Sequence, residues 1–518
     1  MSLRRLSLSL IPTCALGLGC AEPESFEQLR PPVEDPECPA STSVLVTADT
    51  RFHTGARVTA VPQDLSGRDL ELLIFRGNDY DRRSGRVVSK GLCFGDVGQD
   101  AEFYVRSGTA YYRSHARRFD LSINRHGRPD AVASAITETP ARLDLTGLQP
   151  WQANTSPSEP GSQLQVVSGE VELLAHLAFP TAQPGAGVTL AQGTEARASS
   201  QWGTLPVLDA AKGDRLYVNQ LNEVPSGTLP SGAPLKYRTV VGSLHAPAAS
   251  FTPNGDTALV LSGAMTEVRQ ASFAPEWNLS AFTDHRGEAH PDAVVAQGRF
   301  DVLPVTYGLM SGRVGRQGEL FTLEVPGSEE GEITRRFTYG NPYPKDWDTL
   351  GSASHTFLAP TSVVVGGQSW RPHASIVVMD RLSRMTGASA DPVVPGVSPP
   401  SLVRIDGVEA SSVRTVSSTR PVVSWLSPRV GQARAYQVEF IQLTADAGTA
   451  PVVEFHVPFD TLTLTPPPGV LAAGATYYVR VTANGSPFFV PWLAPYVSAD
   501  VLPIRSAGTF SAVFTTPS

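Results

Sequence analysis

The sequence predicts an all-β protein, a multidomain array of β-sandwich-like domains. Three observations carry this. Short segments alternate apolar and polar residues with period two, and turn-rich loops of roughly 5–15 residues separate them. Glycine and proline supply 45 and 44 of the 518 residues, above the ordinary combined usage of about 12%. They are scattered as tight turns between short strands require. No long amphipathic helix is legible; the Ala/Leu-rich piece 205–212 offers one or two turns.

Composition removes several classes. A 41% hydrophobic content excludes a wholly disordered chain, and the absence of a G-x-y period excludes collagen. At about 100–200 residues per domain the length suggests three or four domains. Net charge is −8 with a pI near 5.7, which gives no argument for a nucleic-acid partner. After the first twenty residues no run of about 18 apolar residues occurs, so no transmembrane helix is expected after processing.

The chain opens with Arg4 and Arg5, then an apolar stretch over 6–18, then Cys20. At about 13 residues the stretch is too short to span a bilayer as a helix and right for a secretion signal. The segment resembles a bacterial lipoprotein signal peptide, in which the Cys becomes the acylated first residue. The resemblance is imperfect, since Gly17 stands where the family usually has Leu and Leu16 lies one residue further back. It implies a signal peptide at 1–19, lipidation of Cys20 and membrane anchoring through that group. Ala21 after the Cys favours, by the same resemblance, the bacterial outer membrane. A plain secretory cut after Ala21 is the competing processing.

Four cysteines are present, Cys14, Cys20, Cys38 and Cys93. Either processing leaves Cys38 and Cys93 as one even pair, which an oxidising compartment would allow to bridge. Two unrelated buried thiols are the alternative. Residues 20–41 are acidic and Pro-rich and read as a tether.

Strands follow in order. Residues 43–47, 70–75, 101–106 and 109–113 fall in an N-terminal β domain at 42–150, the last two forming a hairpin. A central β-rich region at 151–390, one large or two small domains, contains strands at 163–167, 214–221, 257–262 and 319–325. A weak echo links 119–144 with 277–301: each has Pro-Asp-Ala-Val followed by Arg-x-Asp, as tandem related domains would, or as chance similarity in a Gly/Pro/Ala-rich chain would with the differing spacings between. Four prolines within 391–400 mark a linker and favour an extended spacer.

Residues 401–518 have the size of one sandwich. Val423, Ser424 and Trp425 end an early strand. Leu471, Gly474, Tyr477, Val479, Arg480 and Val481 then match L-x-x-G-x-x-Y-x-V-R-V. This region resembles a fibronectin type III domain. The resemblance implies a Greek-key sandwich with Trp425, Tyr477, Val479 and Val481 in its core, and a corner role for the Tyr477 hydroxyl. The departure is 484–508, a long insertion rich in proline and aromatic residues that widens a loop or covers one end.

Motifs for catalysis are absent: no H-E-x-x-H, G-x-S-x-G, phosphate-binding loop, dinucleotide fingerprint or EF-hand. No catalytic residue, cofactor or metal is therefore assigned. Asp284, His285, Glu288, His290 and Asp292 form the densest polar cluster; a divalent ion is one reading, and a solvated hairpin loop fits the residue types better. Asn254, Gly255 and Asp256 read as a turn, and His126 with Asp130 as a loop. Trp151, Trp202, Trp277, Trp347 and Trp370 suit either core packing or stacking on sugars. The aromatic stretch 337–347 is a contact patch if exposed and a plug between domains if not.

These features predict an exported, lipid-anchored cell-envelope protein that binds, adheres or scaffolds, with an envelope protein or glycan as partner. A secreted hydrolase acting on glycan or peptide, with a fibronectin-like accessory domain, is the alternative.

Overall fold

The computed structural model describes residues 35–55, 57–77, 79–154, 161–180, 183–201, 203–308, 318–387, 390–445 and 451–518. Among these the chain is almost entirely β-strand, arranged in several sheets of which one has 22 strands. Its helices are short turns: Leu279–Thr283, Arg286–Ala289, Leu382–Met385 and Pro495–Ala499, with a 3-10 turn at Ala210–Lys212. That last turn falls in the Ala/Leu-rich piece; the Asp209 side chain caps its start and Gly213 closes it in the left-handed conformation.

The large sheet is one backbone ladder shared by regions far apart in sequence. Asp79–Ser84, Leu70–Arg76, Phe103–Ser107 and Ala110–Ser114 pair antiparallel in that order. Ala110–Ser114 then pairs in parallel with Val453–Pro458. From there the ladder crosses Ala435–Gln442, Thr476–Asn484 and Ile504–Phe510. Ile504–Phe510 pairs with His373–Arg381, which leads through Asp348–Leu358 to Val294–Val305. The C-terminal sheet therefore has both edges covered, one by an N-terminal strand and one by a central strand. This satisfies backbone groups that an isolated sandwich leaves to solvent.

A second sheet in the C-terminal region orders Val408–Glu409, Ser401–Ile405, Val423–Leu426 and Thr463–Leu464. Its buried Val403, Ile405, Val423, Trp425 and Leu464 share a core with Tyr436, Val438, Tyr477, Val479 and Val481 of the first sheet. The Trp425 and Tyr436 rings lie 5.4 Å apart. Alternation explains the strand Thr476–Asn484, which sends Tyr477, Val479 and Val481 inward. On its other face Arg480 binds both carboxylate oxygens of Glu439, at 2.6 and 2.8 Å.

A second core joins Leu143 and Leu145, from the end of the N-terminal part, to Trp151, Val166, Leu173, Ala198 and Leu261 of the central region. A long hairpin, Arg215–Thr228 with Pro234–Pro247, leaves that core and contributes Leu221, Tyr237 and Val240 to the neighbouring one. The N-terminal region packs around Val46, Leu72, Phe94, Phe103, Val105 and Phe119. Cys38 and Cys93 form a disulfide, tying residues just before the strand Val44–Thr47 to the strand Gly91–Phe94 that pairs with it.

Two expectations change. The Pro-rich stretch 391–400 is not a free spacer. Val393 is buried, its N–H donates to the Glu276 carbonyl at 2.7 Å, and it bridges Trp277. Val397 and Ser398 are buried as well. Proline keeps the segment extended, and apolar burial holds it down. The cluster at 284–292 is not a solvated hairpin loop. It forms helical turns in which His285 and His290 are buried.

Candidate functional site

The residues singled out by sequence are mostly structural. Trp425, Tyr477, Val479 and Val481 are buried, and the Tyr477 hydroxyl accepts a 2.9 Å hydrogen bond from the Ala472 N–H. Trp151, Trp277 and Trp347 are buried, whereas Trp370 is half-buried. The aromatic stretch 337–347 is a plug: Tyr343 stacks on Trp347 at 4.4 Å, and its hydroxyl accepts from Asn219 Nδ2 at 2.8 Å. Cys20 and Trp202 lie outside the described residues.

Among the described residues no group of three or more His, Cys, Asp or Glu is placed to hold a metal ion. In the 284–292 cluster, His285 Nδ1 lies 3.1 Å from Glu288, whose other oxygen takes Arg429 at 2.8 Å. His290 stacks on Phe510 at 5.0 Å, and burial lowers its pKa. Asn254 forms a turn by accepting from the N–H groups of Asp256 and Thr257. His126 and Asp130 part company. Asp130 binds Lys212 and Arg128, which hold its pKa down at about 2, and His126 turns into a cleft wall.

That cleft is the candidate site. It has a volume of about 750 Å³ and forms where three segments converge. The N-terminal region supplies Phe52, the strand Ile123–His126 and Val132; the central region supplies Val171, Glu172 and Ser200. The insertion supplies Tyr496 and Asp500. Sequence reasoning treated the insertion as a departure from a pattern. Its helical turn Pro495–Ala499 in fact packs on the strand Ile123–His126, and aromatic density was the available signal.

Polar contacts fix the walls. Asn124 Nδ2 donates to Asp500 at 3.1 Å, so its oxygen faces His53 Nε2, which donates to it at 3.0 Å. Glu172 accepts from Arg125 Nε at 2.8 Å and from the His126 N–H at 3.3 Å. It does so from a left-handed backbone with φ 53°, which costs a non-glycine residue about 1–2 kcal/mol. The Ser114 hydroxyl donates to the Trp492 carbonyl, and the Asp120 N–H to the Leu493 carbonyl, at 2.5 and 2.8 Å. Below the floor, Gly127 lies against the carbonyl of Glu170. A Cβ there would stand 2.3 Å from that oxygen, and φ is +96°. Beside it Arg128 grips both oxygens of the fully buried Asp214 carboxylate, at 2.9 and 3.0 Å. The cleft therefore has rigid walls of mixed character. Apolar faces come from Phe52, Ile123, Val132, Val171 and Tyr496, and hydrogen-bonding groups from Asn124, Arg125, Glu172 and Asp500. Such a surface suits a ligand with an apolar face and a hydroxyl- or amide-bearing rim.

No protein-family model matches the chain, and no curated protein matches it. Among solved structures it is similar to the FN1-FN3 domains of chicken CNTN1. The identity is 10%, covering 76% of this chain and 100% of that one, with a TM-score of 0.16. It is also similar to Escherichia coli alpha-2-macroglobulin activated by porcine elastase. There the identity is 10%, covering 92% of this chain and 43% of that one, with a TM-score of 0.14. Among the described residues no helix is long and apolar enough to cross a membrane.

Proposed function

We propose that this chain is an exported cell-envelope protein that binds and scaffolds, and that the three-way cleft is where it binds a glycan. The observation that carries this reading is the Asn124–Asp500 hydrogen bond, which closes the cleft between segments 376 residues apart. A glycan ring presents apolar C–H faces to Tyr496 and Phe52 and hydroxyls to Asn124, Glu172 and Asp500.

Export rests on the signal-like N-terminus and is supported by the disulfide, which belongs to oxidising compartments. Lipid attachment at Cys20 is the proposed anchor, with the outer membrane as its destination. The region 401–518 is proposed as a fibronectin type III-like sandwich. Its two facing sets of four strands, and the Tyr477 corner bond, support that assignment. The remaining boundaries are proposed as above, with 42–150 and 151–390 as the N-terminal and central parts.

A glycan array probed with the wild-type protein, Tyr496→Ala and Asn124→Ala tests the cleft. Retained binding to the same glycans by both variants would remove it from consideration. Release of reducing ends from a bound glycan would instead favour the hydrolase reading. Palmitate labelling, with mass spectrometry of the mature N-terminus, tests the anchor; an unacylated chain starting at Glu22 would refute it.

A further inference from the structure

Asn-Gly occurs twice in the chain, at Asn254-Gly255 and at Asn484-Gly485. In this dipeptide the glycine nitrogen reaches the asparagine side-chain carbon easily, because the second residue has no Cβ to crowd the approach. Attack then depends on two local properties. The glycine N–H must be free of other bonds, and the charge developing on the side-chain oxygen must be stabilised.

At Asn484 the attacking group is engaged. The Gly485 N–H donates to the Arg505 carbonyl at 2.8 Å. Asn484 ends the strand Thr476–Asn484, where it pairs with Ala435 on one side and Ser506 on the other. Its own carbonyl accepts from the Arg434 N–H at 2.7 Å. Gly485 also packs against Val397 and the Gln432 carbonyl, which a Cβ would meet at 3.1 and 3.3 Å. Freeing that nitrogen means locally unpairing two strands.

At Asn254 the nitrogen is open. Residues 254–257 are all exposed, and nothing lies within 4 Å of where a Cβ on Gly255 would stand. Among the described residues no group accepts from the Gly255 N–H. Asn254 Oδ1 accepts from the N–H groups of Asp256 and Thr257 at 3.0 and 2.8 Å, and Nδ2 donates to Thr257 Oγ1 at 3.0 Å. These bonds turn the side chain toward the residues that follow it and put two donors on the oxygen that becomes negative. Asn484 Oδ1 accepts from the Ser486 N–H at 2.9 Å, so the sites differ most in the nucleophile.

We propose that Asn254 is a site of spontaneous deamidation in the folded protein and that Asn484 is protected from it. Base removes the Gly255 N–H proton, and the nitrogen attacks Asn254 Cγ. A new N–C bond forms while Oδ1 takes the negative charge. The bond from Cγ to Nδ2 then breaks, and the side-chain nitrogen takes a proton from water and leaves as ammonia. One water opens the resulting succinimide at either carbonyl, giving aspartate or isoaspartate. The balance is one water consumed and one ammonia released, with no oxidation or reduction. The product adds a negative charge beside Asp256 to a chain already at −8. Isoaspartate also lengthens the main chain in the turn before the strand Leu259–Ala264. That strand pairs with Glu138–Thr146, and the Thr139 hydroxyl donates to the Thr257 carbonyl at 3.3 Å. The modification therefore loosens the entry to the strand.

Peptide mapping by mass spectrometry tests this on the full-length protein, incubated at mildly alkaline pH in water enriched in heavy oxygen. Label uptake marks each asparagine that passes through the succinimide, and isoaspartyl methyltransferase labelling marks the isoaspartate. A parallel incubation in urea exposes both sites. In the folded protein conversion at Asn254 should exceed that at Asn484 at least about tenfold, and its rate should rise with pH. In urea the two rates should come within about threefold of each other, because the fold no longer separates them. Asn254→Gln lengthens the side chain, disfavours the five-membered closure and should lose the acidic species seen on ion exchange. Equal conversion at both sites in the folded protein, or conversion at Asn254 only after unfolding, overturns the proposal. So does an acidic species that accumulates unchanged in Asn254→Gln.

Discussion

Acidification from pH 7.5 to 5 is expected to cost this protein about 2 kcal/mol through one side chain, His355. It lies on the strand Asp348–Leu358 opposite Gly298, with its ring stacked on Phe282 at 4.6 Å and edge-on to Trp277 at 5.5 Å. It is 2% exposed, and its Nδ1 has no hydrogen-bond partner. Desolvation lowers its pKa from 6.5 to about 4. The folded-state value is depressed, so between these two pH values the unfolded chain binds the extra proton. Stability is then complete above about pH 6.5 and falls as the pH drops toward 4. At pH 5 the two values give a loss of RT ln(33/1.1), or about 2 kcal/mol. Buried His290 and half-buried His176 and His373 are shifted the same way by desolvation, so the whole protein loses more. The difference between wild type and His355→Phe isolates the single residue. Urea unfolding followed by tryptophan fluorescence at pH 7.5, 6.5, 5.5 and 5 measures it. The variant should lose about 2 kcal/mol less than wild type over that range. Parallel pH dependences for the two proteins would refute the reasoning.

Three further predictions rest on packing. Replacing Cys38 and Cys93 by alanine reopens a loop of 55 residues, and loop entropy puts the loss at about 4 kcal/mol. Thermal unfolding with and without reductant should show it in wild type and not in the variant. Gly127→Ala combines an unfavourable φ with a clash against the Glu170 carbonyl. It should cost about 2 kcal/mol or more and speed amide exchange at Arg128, whose N–H donates to that carbonyl. Tyr477→Phe removes one corner hydrogen bond and should cost about 1 kcal/mol while leaving any cleft ligand's affinity unchanged.

Strands were legible wherever one face is buried and the other wet. The expected 70–75 and 163–167 became Leu70–Arg76 and Gln163–Ser168, because alternation is a local property of the sequence. Counting thiols left a Cys38–Cys93 bridge and two separate buried thiols both open, and the structure decides for the bridge. The polar cluster at 284–292 misled, since its residue types are those of a solvated loop. Its burial comes from elsewhere: the Thr509 hydroxyl donates to the Ala289 carbonyl at 2.8 Å, and Phe510 covers His290. Nothing near residue 290 announces a strand 220 residues away. The cleft was illegible for the same reason. Asn124, Glu172 and Asp500 belong to three separate segments, and each is unremarkable in its own surroundings.

The sequence by itself determined the β class, the positions of many strands and the inward set Trp425, Tyr477, Val479 and Val481. These depend on period-two burial and on residue counts, which are read along the chain. Tertiary structure alone decided that Ala110–Ser114 and His373–Arg381 would cover the two edges of the C-terminal sheet. It also decided that a proline-rich stretch would be buried and that an aromatic insertion would wall a cleft. Those outcomes depend on which unsatisfied edges and apolar faces meet in space, and local pattern leaves that open.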